Sequence, residues 1–230
     1  TAPTPGRAGP LEMPENLASL LVPMVFVIVA IFAIGLALSR LYRRASKEIS
    51  FVRTGLGGQR VILNGGSLVL PVFQDLIRVN MNTLRLEVKR SGESGLITKD
   101  RMRVDVQAEF FVRVQPTEDA VADAAQTLGQ RTMEPAALKE LVEGKFVDAL
   151  RAVAAEMSME ELHELRVQFV QRVQTTVSED ILKNGLELES VALTSLDQTS
   201  MEFLNPNNAF DAQGLAKLTE TIQAKAKQRN

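Results

Sequence analysis

The stretch MRVDVQAEFFVRV, Met102 to Val114, decides how the chain is read. Met102, Val104, Val106, Ala108, Phe110, Val112 and Val114 alternate with Arg103, Asp105, Gln107, Glu109, Phe111 and Arg113, so an apolar residue returns at every second position. That period belongs to a strand with one buried face, because successive side chains leave the backbone on opposite sides. A twisted antiparallel sheet with one wet face follows. Thr83 to Lys89 repeats the alternation more briefly through Leu84, Leu86 and Val88. Further upstream, runs such as Gln59 to Leu63 and Ser67 to Leu70 are separated by Gly55, Gly57 and Gly58, by Asn64-Gly65-Gly66 and by Pro71. These are turn signals between short strands. Residues 48–115 are therefore expected to form a β-rich lobe.

After Pro116 the apolar period lengthens to about 3.6, the helical value. A short helix is expected from Glu118 to Leu128. Glu134 and Pro135 suit the start of a second, with Leu138, Leu141, Val142, Leu150, Val153 and Met157 close to one stripe. Ser158 followed by Glu161 is a capping box, opening a helix that carries Leu162, Leu165, Phe169, Val173, Val177 and Ile181 and ends at Asn184-Gly185. Leu186 to Leu193 alternates again and should rejoin a sheet, so residues 116–200 read as an α/β lobe and the fold class as α+β. Asp211 to Asn230 is polar and reads as a helix, with Leu215, Leu218 and Ile222 at heptad spacing and Lys225 where the next apolar residue falls due.

Upstream of the sheet, Asn16 to Ser39 holds 24 residues without a charge, and the apolar run continues to Leu41. At about 1.5 Å per residue this helix is long enough for a hydrocarbon core of about 30 Å, so 16–41 is expected to be a transmembrane helix with Pro23 in its first turn. Arg40, Arg43, Arg44 and Lys47 follow the span, whereas Arg7 is the one basic residue before it. Basic flanks stay on the cytoplasmic side, which puts the bulk of the chain in the cytoplasm and a proline-rich segment, residues 1–15, outside. Charge divides in the same sense. Residues 40–115 carry 14 basic and 7 acidic residues, and residues 116–200 carry 7 and 16. The basic half is the membrane-proximal one, which suits a domain held against an anionic inner leaflet through Arg40, Arg43, Arg44 and Lys47, and equally suits two surfaces that are simply solvated.

Composition excludes much chemistry. The chain has no Cys and one His, His163, which removes disulfides, thiol nucleophiles, zinc fingers and triads needing a second histidine. A formal charge of -2 makes nucleic acid an unpromising partner. His163 stands among Glu160, Glu161 and Glu164, the pattern of a solvated helix face. Gly55, Gly57 and Gly58 lead into a strand, whereas phosphate loops lead into a helix. No catalytic residue, cofactor site or metal site is expected. Val167 and Val170 lie off the main stripe of their helix, and they are read either as core or as a contact with a neighbouring protomer.

Several segments together resemble the bacterial flotillins of the YqiK group, within the stomatin, prohibitin, flotillin and HflK/C (SPFH) superfamily. They are the span with its basic flank, GLGGQRVILNGGSLVLPVFQ (Gly55 to Gln74), ITKDRMRVDVQAEFFVRV (Ile97 to Val114) and FLNPNNAFDAQGLAKLTETIQ (Phe203 to Gln223). The resemblance implies an SPFH domain in two lobes followed by a long coiled-coil helix, with residues 208–230 as the start of that stalk. It implies a homo-oligomer of many copies in a ring or cage, a scaffold that confines lipids and proteins in a membrane microdomain. The alternative it leaves open is an enclosure that regulates a membrane partner, such as a protease or an NfeD-family protein. Animal flotillins attach through acylated cysteines, so here the span is expected to be the whole anchor. The resulting location is the bacterial inner membrane, with Val167, Val170, Leu215, Leu218 and Ile222 as candidate protomer contacts.

Overall fold

The computed structural model describes residues 15–55, 57–70 and 72–229. The segment expected outside the membrane, 1–15, lies beyond the described residues except for Glu15, which opens α1 (Glu15–Leu41). Pro23 falls inside α1 and not in its first turn, so one carbonyl of the preceding turn loses its helical donor.

Seven short strands follow: β1 (Tyr42–Arg44), β2 (Ile49–Gly55), β3 (Arg60–Ile62), β4 (Gly66–Leu68), β5 (Gln74–Asn80), β6 (Leu84–Arg90) and β7 (Leu96–Ile97). The alternating stretch is β8 (Arg103–Val114), then come α2 (Glu118–Thr127), α3 (Pro135–Glu156), α4 (Met159–Glu164), α5 (Arg166–Leu182), β9 (Leu186–Gln198) and α6 (Ala209–Arg229). All strand pairings are antiparallel: β1 with β4, β3 and β5 on either side of β2, and β6, β7 and β9 around β8. The sheet built on β8 thus draws strands from both sides of residue 115.

Burial follows the alternation. Val104, Val106, Ala108, Phe110, Val112 and Val114 are buried, while the intervening residues of β8 are half-exposed. Onto the buried face pack α3, through Leu138, Val142, Phe146, Leu150 and Val153, and α5, through Phe169, Val173, Val177 and Ile181. Phe110 and Phe146 stack with ring centroids 4.3 Å apart. The core is continuous with the smaller sheet, since Val52 and Val79 join it beside Val121, Ala124 and Ala125 of α2. Thr117 caps α2 by accepting from the Ala120 N–H.

Three sequence expectations change here. Leu141 is exposed, because the residues of α3 that face the sheet step by three and four from Leu138 through Val142 and leave it to one side. The helix opened by Ser158 is two helices, since Leu165 leaves the helical region (φ -109°, ψ 38°) and bends the chain between buried Leu162 and buried Phe169. β9 runs five residues past Leu193 to Gln198, and register shifts opposite Gln107/Ala108 and Phe111/Val112 interrupt its alternation.

Candidate membrane-contact and assembly surfaces

The segment Val22–Leu41 of α1 presents apolar side chains to its surroundings: its mean hydropathy is 2.7 and none of it is buried by the rest of the chain. A helix apolar all round needs either a core or a bilayer. At its end Arg40 occupies the last turn, Arg43 and Arg44 lie on β1, and Lys47 on the turn before β2, all exposed. Among the described residues none of these four cations enters an ion pair with this chain, which leaves their charge facing outward. They crowd the point where the helix leaves its apolar surroundings, the geometry that favours anionic headgroups.

The other proposed contacts are dispersed. Val167 is 70% exposed on α5, and Val170 borders the buried stripe and is half-buried. Leu215 and Leu218 are half-buried, while Ile222 is exposed further along α6. His163, Glu160, Glu161 and Glu164 are exposed. Glu161 is used by its capping box: the Ser158 N–H donates to its carboxylate at 2.8 Å, and its own N–H donates to the Ser158 hydroxyl at 3.2 Å. The Ser158 hydrogen bond holds the Glu161 carboxyl below its ordinary range. Gly55, Gly57 and Gly58 form the β2–β3 hairpin turn, closed by the Gly58 N–H on the Gly55 carbonyl at 2.9 Å. Among the described residues no group of three or more His, Asp or Glu side chains is placed to hold a metal ion.

One polar site has no counterpart in the sequence reading. Asp211, in the first turn of α6, accepts from Arg103 Nε at 3.0 Å and Nη2 at 2.7 Å, with the two side chains 10% and 5% exposed. Its second oxygen takes the Asn205 N–H at 3.1 Å. Around this pair, Lys217 Nζ donates to Asp100 at 3.0 Å, Arg101 bonds Gln213, and the Arg101 guanidinium lies 5.9 Å from the centre of the Phe210 ring. Gly214 permits the approach, because a Cβ there would lie 2.8 Å from the Arg101 carbonyl oxygen. Burial raises the Asp100 carboxyl, but hydrogen bonds from Thr98, Lys217 and the Met159 N–H outweigh it and hold the group below its ordinary value of 3.8. The latch fixes how α6 leaves the domain. Its one sequence signal is Asn208 ahead of α6, whose side chain accepts from the Phe210 N–H at 3.0 Å in the manner of a cap.

The chain is similar to known membrane proteins. The flotillin family inner membrane protein YqiK of Escherichia coli is 57% identical over 95% of this chain and 40% of its own length. A flotillin family inner membrane protein of Synechocystis is 32% identical over 93% of the chain and 32% of its own length, and human flotillin-1 is 28% identical over 70% and 37%. The chain therefore spans well under half the length of these relatives. The model of the SPFH domain / Band 7 family matches residues 46–229, from just after the span to the end of α6. With about four-fifths of its residues matched in this way, the chain belongs to the SPFH domain / Band 7 family.

Proposed function

We propose that this chain is the anchoring and assembling part of a flotillin-type scaffold of the bacterial inner membrane. A single span, α1, holds it, the bulk of the chain lies in the cytoplasm, and many copies pack side by side into a ring or cage that organises a membrane microdomain. The role is structural and uses no catalytic centre. The observation that carries the reading is continuity: an exposed apolar helix of membrane length ends at Leu41, and a Band 7 domain begins at residue 46. Similarity to flotillin family inner membrane proteins over nearly the whole chain supports both the location and the scaffold role.

In this mechanism Arg40, Arg43, Arg44 and Lys47 meet anionic headgroups, and neighbouring domains touch through a heterologous patch that includes Val167 and Val170 on α5. Leu215, Leu218 and Ile222 contribute once α6 is bundled with its neighbours. The test is native mass measurement and imaging of the detergent-extracted full-length protein. Large homomeric closed particles are expected, and monomers would overturn the reading. A complex containing a second membrane protein in fixed ratio would replace it with the enclosure of a specific partner.

A further inference from the structure

The three-stranded sheet of β3, β2 and β5 sets two arginines side by side. Its register pairs Arg53 of β2 with Arg60 of β3, so the two side chains leave the same face at adjacent positions. On that face Arg78 of β5 stands diagonally across from Arg53, two residues beyond the direct partner Leu76. Like charges directly opposite one another on a sheet are destabilising. Opposite charge is the ordinary remedy, and the sheet built on β8 uses it: Arg85 meets Glu109, and Arg113 meets Glu187 and Glu189. Among the described residues no acid forms an ion pair with Arg53, Arg60 or Arg78.

The Arg53 guanidinium is anchored. Its Nη1 donates to the Leu68 carbonyl at 3.2 Å and to the Ser67 hydroxyl at 3.4 Å, while its Nε is buried and meets no acceptor. A buried polar group without a partner calls for an explanation, and a site for a water or an ion is one of them. Ser67 also lines an open cleft of about 410 Å³, together with Arg60 and Asn64. Two guanidinium groups, a hydroxyl and a side-chain amide therefore converge on one place. Among the described residues Glu118 is the one acid on the wall of this cleft. It stands in the first turn of α2, where a negative charge suits the helix N-terminus, and it forms no ion pair with Arg60.

We propose that Arg53 and Arg60, with Ser67 and Asn64, bind a phosphate group, the chemistry shared by a lipid headgroup and a phosphate free in solution. A planar guanidinium takes two oxygens of one phosphate in parallel, and a tetrahedral phosphate has oxygens left for the second fork. A phosphate monoester also carries the charge that two adjacent cations balance, whereas a carboxylate carries half of it. Bound between the two side chains, it turns their repulsion into attraction, and Arg78 adds a third positive charge to the field. The inference does not depend on how copies of the chain assemble.

The test uses detergent-extracted full-length protein dialysed against labelled inorganic phosphate, with chloride holding the ionic strength constant. Wild type should retain a single phosphate per chain, and Arg60→Gln should bind it roughly tenfold more weakly, through loss of a charge-assisted contact. A second sign separates a site from general screening. Without phosphate, Arg60→Gln should unfold at a higher temperature than wild type, because the like-charge pair is gone, and saturating phosphate should reverse that order. Glu118→Gln should bind phosphate more tightly, a gain that a misfolded chain cannot give. Lipid discs identify the source: phosphatidic acid in a phosphatidylcholine disc displaces the labelled phosphate if a headgroup occupies the site, and leaves it bound if the ligand is soluble. Failure of wild type to retain phosphate, equal retention by Arg60→Gln, or an order of unfolding that phosphate does not reverse would each overturn the proposal.

Discussion

Replacing Asp211 by Ala should release α6 from the domain without unfolding the domain. The carboxylate takes two donors from Arg103 and one from the Asn205 N–H, and its removal leaves a guanidinium that is 10% exposed without its counter-charge. Breaking a buried pair from one side costs about 3 to 5 kcal/mol. Arg103 is covered by α6, while its carbonyl accepts the Thr199 N–H at 3.0 Å, one step beyond the β8–β9 pairing. The cheapest relief is therefore for the helix to lift and let water reach the guanidinium, leaving the core of β8, α3 and α5 intact. Most helical stability in proteins comes from tertiary packing, so a lifted α6, which loses that packing, also frays.

Hydrogen exchange reads this directly. A loss of 3 to 5 kcal/mol corresponds to exchange roughly a hundred to several thousand times faster, at about 1.4 kcal/mol per factor of ten, up to the point where α6 is wholly open. The effect should be confined to amides of α6 and the 98–103 turn, with those of Val104 to Val114 unchanged. Asp211→Asn, which keeps an acceptor for Arg103 and loses the charge, should fall between. Lys217→Ala should cost no more than about 1 kcal/mol, because that lysine is 52% exposed and its pair with Asp100 is screened. If exchange in α6 is unchanged in Asp211→Ala, or if the whole domain accelerates together, the pair is not what holds the helix.

The same latch predicts a pH limit. The folded Asp100 carboxyl sits below 3.8, so its contribution is present above that value and is lost as pH falls through its lower folded value; an acid titration of α6 helicity should flatten in Asp100→Asn. Arg101→Gly should relieve a left-handed backbone position (φ 62°) that costs a non-glycine residue about 1 to 2 kcal/mol. It should still speed exchange in α6, because the contacts with Gln213 and Phe210 go with the side chain, and slower exchange would contradict that role. For topology, a cysteine at Ser195 should resist an impermeant thiol reagent in cells with the inner membrane intact, and one at Ala8 should react; the reverse labelling would put the domain outside. Val167→Asp with Val170→Asp should shrink the assembly seen by crosslinking while leaving the monomer fold unchanged, and full-size particles would exclude that face from the protomer contact.

How far the sequence could be read depended on which residues answer to the chain's own core. The alternation of β8 and the three-and-four spacing of α3 and α5 are imposed by burial on one side, so Val104 to Val114, Leu138, Val142, Phe169 and Val173 could be assigned before any coordinates. Leu165 escaped because Leu162 and Phe169 are both buried on either side of the bend, so the apolar spacing runs through the break unaltered. The second half of β9 escaped because bulges disturb a period of two. Arg103 is the more telling miss. It stands on the polar face of β8, where the alternation predicts contact with water, and it is nearly enclosed, because α6, more than a hundred residues later, covers that end of the sheet. Long-range polar pairs leave no period in a sequence. Leu68, Leu70, Val72 and Phe73 are the opposite case, apolar residues that answer to no core of this chain and stay exposed. Both departures occur at the edges of the domain, where α6 leaves it at one site and where α1 enters it at the other. On this fold, the residues that violate the one-chain pattern lie at those two junctions.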